Sequence, residues 1–447
     1  MNFVLVYRFA RDVLLALTFV GVAAAGAKAV PAFAVQTGRP CGACHVGGFG
    51  PQLTPFGRAF KIGGYTLRTN TFNLPVSAMA VASFVHTQKD QAAAPAPHFG
   101  VNDNVGIDQV SVFIAGGVGS HFGAFIQNTY DGIGRSFNWD NLDLRAVTTA
   151  TIAKASVVLG LSVNNAPTVQ DPFNTLPAWG FPYTSSDLAP SPAASPLVGS
   201  LAQNTLGVTG YAWINSQVYA ELGAYRSPSS GFLIHAGVDP TDPGNIQGAA
   251  PYARIAYMKN YGDRNFEVGA FGMNANIYPG HDQSLGLIDH YTDLGIDASY
   301  QLFAARKNTI TINARYIYER QRLDASQALG LAANDRVNLQ DFRIDASYYW
   351  HDRIGFSVQG FDTWGAPDEL LYGPNRTFKP DSSGVVLQLD GTPWGDGGSP
   401  LGPRFNARLG IQYTAYITFD GAGRNYDGLG GDAGDNNTLR VFTWIAY

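Results

Sequence analysis

The chain has 447 residues, a formal charge of −5 and no basic run, which excludes nucleic acid as a partner. Charged residues are only 14% of it, against roughly a quarter in soluble domains, while glycine (52 residues) and aromatics (13%) are abundant. An ordinary soluble two- or three-domain protein does not have that composition, so a different class of fold has to be sought.

Residues 1–29 read as a secretory leader: Arg8 and Arg11 form the positive start, Val13 to Ala25 the apolar core, and Ala27-Lys28-Ala29 a small-x-small cleavage site. The apolar run is too short to span a bilayer as a helix. No later stretch supplies about twenty uncharged apolar residues, so no transmembrane helix is expected in the mature chain.

Residues 30–75 contain Pro40-Cys41-Gly42-Ala43-Cys44-His45-Val46-Gly47. Cys-x-x-Cys-His is the attachment signature of a c-type haem. Two thiols three positions apart can each form a thioether to one vinyl group of a single porphyrin, and the histidine that follows is delivered under the ring to ligate iron, making His45 the metal ligand. Cys41 and Cys44 are the only cysteines. The competing readings are a dithiol redox motif, which belongs on a thioredoxin-like turn, and chance; nothing between residues 30 and 65 alternates like a βαβ unit.

Downstream, Gly50-Pro51-Gln52-Leu53 resembles the loop of soluble c-type cytochromes in which a backbone carbonyl accepts the second ring N–H of the ligating histidine and so fixes its tautomer. That role falls on the Gly50–Pro51 region. Arg58 and Lys61 are cations close to the motif, suited to haem propionates or equally to a solvated face. About forty-five residues are too few to bury a haem alone, so the rest of the chain must house the segment. Met79, His86, His98 and His121 are candidates for the second axial ligand, and each has an ordinary strand or loop reading beside it.

Residues 76–447 form a succession of roughly ten-residue stretches with period-2 alternation. Between Thr309 and Glu319 one face carries Ile310, Ile312, Ala314, Tyr316 and Tyr318, the other Thr309, Thr311, Asn313, Arg315 and Glu319. Phe405 to Phe419 alternates likewise, and Asp293, Asp297, Arg343 and Asp345 lie on the polar side of their stretches. About sixteen strands are expected, near 76–86, 108–118, 121–130, 139–149, 154–164, 204–213, 216–226, 250–259, 264–275, 290–302, 308–320, 337–350, 353–364, 383–390, 403–419 and 437–447. Short turns (Gly119-Ser120, Ile152-Ala153, Asn215, Tyr261-Gly262-Asp263, Ala304–Arg306, His351-Asp352) alternate with long loops, the longest at 165–203. An even strand count with that alternation describes an all-β, antiparallel outer-membrane barrel, closed because hydrocarbon tolerates no open edge. Both barrel ends then lie at the short-turn, periplasmic side, and the haem segment enters from there to plug or cap the lumen.

His235, His281, His290 and His351 show no metal spacing and read as loop or turn residues. Asp420, Asp427, Asp432 and Asp435 share a Gly-rich loop that could attract Fe(II), or simply be solvated.

On Pro31, Phe33, Gln36, Thr37, Gly38, Cys41, Cys44, His45, Pro51, Leu53, Gly57, Arg58, Phe60, Lys61, Gly64 and Tyr65, the chain resembles the fused outer-membrane monohaem cytochrome–porin family of iron-oxidising bacteria; Val35 departs from it, where a basic residue is expected. The resemblance implies one covalent haem c on an N-terminal segment joined to a barrel, oxidation of extracellular Fe(II), and a periplasmic electron carrier such as a soluble cytochrome. Two other functions stay open: a solute-conducting porin with a haem-bearing plug or sensor, and a surface peroxidase, which needs an open iron position.

Overall fold

The computed structural model describes residues 32–69, 75–284, 286–304, 308–401 and 405–447. The expected leader, Val30, Pro31 and most of the turn expected at Ala304–Arg306 lie outside the described residues. Sixteen long strands follow one another: β1 (Val76–Thr87), β2 (Asn104–Val118), β3 (Phe122–Asp131), β4 (Ser136–Ile152), β5 (Ala155–Asn164), β6 (Leu206–Ile214), β7 (Val218–Arg226) and β8 (Ala250–Tyr261). The second half comprises β9 (Arg264–Tyr278), β10 (Asp289–Ala304), β11 (Asn308–Arg322), β12 (Arg336–Trp350), β13 (Ile354–Gly365), β14 (Ser382–Gly391), β15 (Asn406–Thr418) and β16 (Thr438–Ala446). Each pairs antiparallel with its neighbours in sequence, and β1 pairs with both β2 and β16, so the sheet closes. A two-residue strand, Asn245–Ile246, adds to the end of β9. Each expected stretch holds one strand.

The two faces of the wall are inverted relative to a soluble protein. Leu294, Ile296, Ile344, Leu389 and Leu409 are exposed, whereas Asp293, Asp297, Glu319, Asp341 and Arg408 on the alternate positions are buried. Apolar side chains outside and charged ones inside are what a bilayer imposes on a closed barrel. A water-soluble sandwich would bury the first set.

The inner face is lined by more than its own side chains. Residues 165–205, which include the longest expected loop (165–203), fold back among the inward-facing residues: Asp171 pairs with Arg254 of β8 at 3.2 Å, Val198 N–H donates to Asp293 of β10 at 2.8 Å, and Arg440 of β16 donates to the Thr184 carbonyl at 2.9 Å. Val169, Leu176, Val198 and Leu201 of this stretch are fully buried. His290, expected in a loop, lies in β10 and is bonded to Asn276 of β9 at 2.7 Å. The connection between β14 and β15 falls at the short-turn end, and its described part, 392–401, reaches the N-terminal segment at Gly395.

Candidate functional site

Residues 32–69 fold as three short helices: α1 (Ala32–Thr37), α2 (Cys41–Cys44) and α3 (Pro55–Ile62). Thr54 starts α3, its hydroxyl accepting from Gly57 N–H at 3.2 Å, and Pro55 at the first helical position needs no donor there. The same hydroxyl donates to the Ala43 carbonyl at 2.6 Å, and Thr54 N–H donates to the Cys44 carbonyl at 2.9 Å. A side chain at Gly57 would collide with that Cys44 carbonyl. Glycine there lets α3 lie directly on the Cys-x-x-Cys-His turn.

Bonds to inward-facing residues hold the segment from all round the wall. Gln36 accepts from Gly117 N–H of β2 (2.8 Å), Tyr65 donates to Asp143 of β4 (2.6 Å), and Tyr211 of β6 donates to the Ile62 carbonyl (2.6 Å). Across the barrel, Gln301 of β10 donates to the Leu53 carbonyl (2.9 Å), and Asn406 and Arg408 of β15 donate to the carbonyls of Gly48 (2.8 Å) and Phe49 (3.0 Å). Partners on β2, β4, β6, β10 and β15 leave only the interior as the place for these residues. At the short-turn end, side chains on Gly42 or Gly48 would run into the Gly395 backbone of the connection after β14.

Cys41 and Cys44 lie one turn apart on α2, are not joined to each other, and are half-buried. Burial raises both thiols, Cys44 to about 12, with Cys41 adding to that shift and Arg39 opposing it. Dithiol-exchange sites do the reverse, lowering the attacking thiol towards neutrality. His45 follows in extended conformation, bridged to Leu53. Its Nδ1 is buried and completes no hydrogen bond of normal geometry. Burial lowers the imidazole to about 4, against the nearby Gly50 carbonyl, which favours the proton, and with Arg408, which repels it. A neutral imidazole is the ligating form, so two free thiols and this orphaned ring fit a haem c. Gly50 is the carbonyl near His45, while the Pro51 carbonyl accepts from Asn174 at 2.7 Å.

Arg58 and Lys61 are bonded to protein. Arg58 donates to Asn265 of β9 (2.7 Å) and Ser299 of β10 (2.8 Å). Lys61 donates to the Val169 carbonyl (2.7 Å) and Asn174 Oδ1 (2.9 Å) of the folded-in stretch, with its ammonium 4.7 Å from the Trp179 ring. Burial lowers Lys61 to about 7, with Arg145 acting in the same direction and Asp143 against it. Sequence reasoning missed what ties the folded-in stretch to the wall: Arg254 of β8 is held bidentate by Asp297 of β10 (2.8 and 2.9 Å), beside Glu267 of β9 (3.4 Å) and Asp171. The available signal was charge on strand faces opposite apolar residues.

Of the axial-ligand candidates, Met79 faces inward on β1 and packs with Phe49, Val81, Phe442 and Trp444. His86 pairs with Asp103 at 2.7 Å in an exposed position, His98 lies in an exposed loop, and His121 is bonded to the Val147 carbonyl at the short-turn end. The loop carboxylates staple backbone: Asp427 accepts from Leu429 and Gly431 N–H, Asp420 from Ala193 N–H, Asp432 from Asn425 N–H, and Asp435 pairs with Lys89. Among the described residues, no group of three or more His, Cys, Asp or Glu is arranged to hold a metal ion.

These features define a sixteen-stranded outer-membrane β-barrel of porin architecture. One solved structure bears this out for the fold. OprB of Pseudomonas putida superposes with a TM-score of 0.50 at 11% identity, covering 83% of this chain and 93% of that one. Salmonella typhi OmpF (TM-score 0.48, 13% identity, 83% and 97% covered) and an anion-selective porin from Comamonas acidovorans (0.46, 12%, 83% and 98%) are similar in the same way. Identities this low show shared architecture alone. No protein-family model and no curated protein matches the chain.

Proposed function

We propose that this barrel is an outer-membrane electron conduit. In this reading residues 32–69 are a plug, entered from the periplasmic side, that carries one haem c attached through Cys41 and Cys44 and ligated by His45. Electrons come from an extracellular donor, Fe(II) in the leading form of the proposal, and leave to a periplasmic carrier such as a soluble cytochrome. The observation that carries it is the setting of the motif: the only two thiols of the chain, both free, and a histidine whose buried Nδ1 has no hydrogen-bond partner, on a turn fixed between α3, β15 and the connection after β14. The haem, when bound, supplies the one-electron chemistry. The protein's part is to hold the segment still and keep water from it: Thr54 braces the turn, Asn406 and Arg408 fix its trailing loop, and Arg58 and Lys61 anchor α3 to the wall and the folded-in stretch. The acidic loop at 419–437 supplies a field that attracts a cationic donor.

A second reading is a solute-conducting porin in which residues 32–69 are a plug or sensor. On the barrel alone this is the better-supported function, since the fold is that of porins. Residues 32–69 are what separate the two. Adding Fe(II) outside proteoliposomes that hold the purified barrel should reduce a c-type spectrum one electron per protein, while planar bilayers show little solute conductance. A haem that stays oxidised under downhill conditions argues against iron. A large solute-permeable conductance establishes the channel instead.

A further inference from the structure

We propose that Met79 supplies the second axial ligand of the haem iron. This rests on the reading of Cys41, Cys44 and His45 given above. The register of the wall sets Met79 opposite the motif. Asn406, Ala446 and Met79 are consecutive partners across β15, β16 and β1. Asn406 donates to the Gly48 carbonyl and lies against the Cys41 thiol. Two strand spacings on, about 10 Å away, stands Met79, and the residue between them is alanine. The row therefore runs from the residue against Cys41, past an alanine, to a thioether, over a span on the scale of a porphyrin. In the next row inward, Arg408 is paired with Trp444, and Trp444 with Val81. Arg408 holds Phe49, four residues after His45, and Trp444 stacks edge-on against it with ring centres 4.8 Å apart, so Met79 packs on the loop that trails the motif.

The sulfur is also held in place. Trp444 Nε1 donates to Met79 Sδ at 3.2 Å, which fixes the thioether and leaves its second lone pair for a metal. His86, His98 and His121 are committed to loops or the rim, as described. His351 is near in space, because Asp352 packs on Gly42, but its ring stacks on the outward-facing Trp350 at 4.8 Å. Met258 and Met273 belong to other buried clusters, with Tyr219 and Tyr252. Methionine opposite histidine raises the reduction potential, and a hydrogen bond to the ligating sulfur raises it further.

The test uses the full-length holoprotein from outer membranes, with Met79→Leu keeping the packed volume and Met79→His replacing the ligand. Folding of each variant is read from its heat-shifted gel mobility. The wild type should be low-spin when oxidised and show the weak far-red absorption of sulfur-ligated ferric haem. Met79→Leu should lose that band, turn high-spin and bind added imidazole. Met79→His should stay low-spin without the band, at a lower midpoint potential. A high-spin wild type, or a Met79→Leu protein whose band and spin state are unchanged, overturns the assignment while leaving the conduit standing. A folded barrel without haem overturns both.

Discussion

The wall and the contents of this barrel obey different rules. Along β10 or β11 every second residue is fixed by a single external condition, hydrocarbon on one side and a polar interior on the other, so Ile296 and Asp297 can be assigned to opposite faces from their neighbours alone. Residues 32–69 and 165–205 have no such periodic reference. Their positions are set by partners far along the chain, as when Arg58 meets Ser299 or Asn174 meets Pro51. The comparison teaches that the wall is specified by pattern and the interior by individual polar bonds, so single substitutions should act differently on the two.

The sharpest break is chemical. Cys41→Ala/Cys44→Ala should abolish covalent haem while the barrel still reaches the outer membrane, checked by haem staining of the heat-shifted band. Next comes Arg254→Ala, which strands Asp171, Glu267 and Asp297 without their shared cation; removing one partner of a buried ion network costs about 3–5 kcal/mol, read as a lowered urea midpoint and faster proteolysis of 165–205. The wall responds to a different insult. Ile296→Arg, facing lipid, should cost about 2–4 kcal/mol, whereas Ile296→Leu should be silent in the same urea titration.

Lys61 gives the pH test. Its ammonium form is favoured in the unfolded chain up to the ordinary lysine range but in the fold only below about 7. Between those values the unfolded state binds the extra proton, so stability should rise as pH increases from about 7 towards 10, by at most about 1.4 kcal/mol per pH unit. Below pH 7 this dependence levels off. Urea midpoints at pH 7 and 9 should converge in Lys61→Met; an unchanged slope would remove Lys61 from the account. The smallest effect is expected from Thr54→Ala, about 1 kcal/mol for the lost cap, seen as quicker proteolysis within residues 32–69 and little change in the barrel.

Most of the wall is legible in the sequence because alternation and turn residues are local signals, and Thr309 to Glu319 and Phe405 to Phe419 carry them with one break each, at the inward-facing Ile317 and at the bulge beside Ile417. The ends are less so: β10 and β11 run one or two residues beyond the expected stretches, pairing with each other from His290–Arg322 to Ala304–Asn308. The length and prolines of 165–203 point to a long loop, although Val169, Phe173, Leu176, Phe181, Leu188, Leu197, Val198 and Leu201 are more apolar than a solvated loop needs. That excess was the usable clue. At the site, the spacing of Cys41, Cys44 and His45 was visible at once, but the bonds of Arg58 and Lys61 were not, since a cation near a haem motif looks the same whether it faces a propionate or Asn265.

The intact mass of the folded barrel, extracted from outer membranes, bears most directly on the claim that its interior segment carries one covalent haem c. A mass one haem above that of the mature polypeptide, returning to the polypeptide value in Cys41→Ala/Cys44→Ala, is the predicted result. A folded wild-type barrel with the bare polypeptide mass would contradict it.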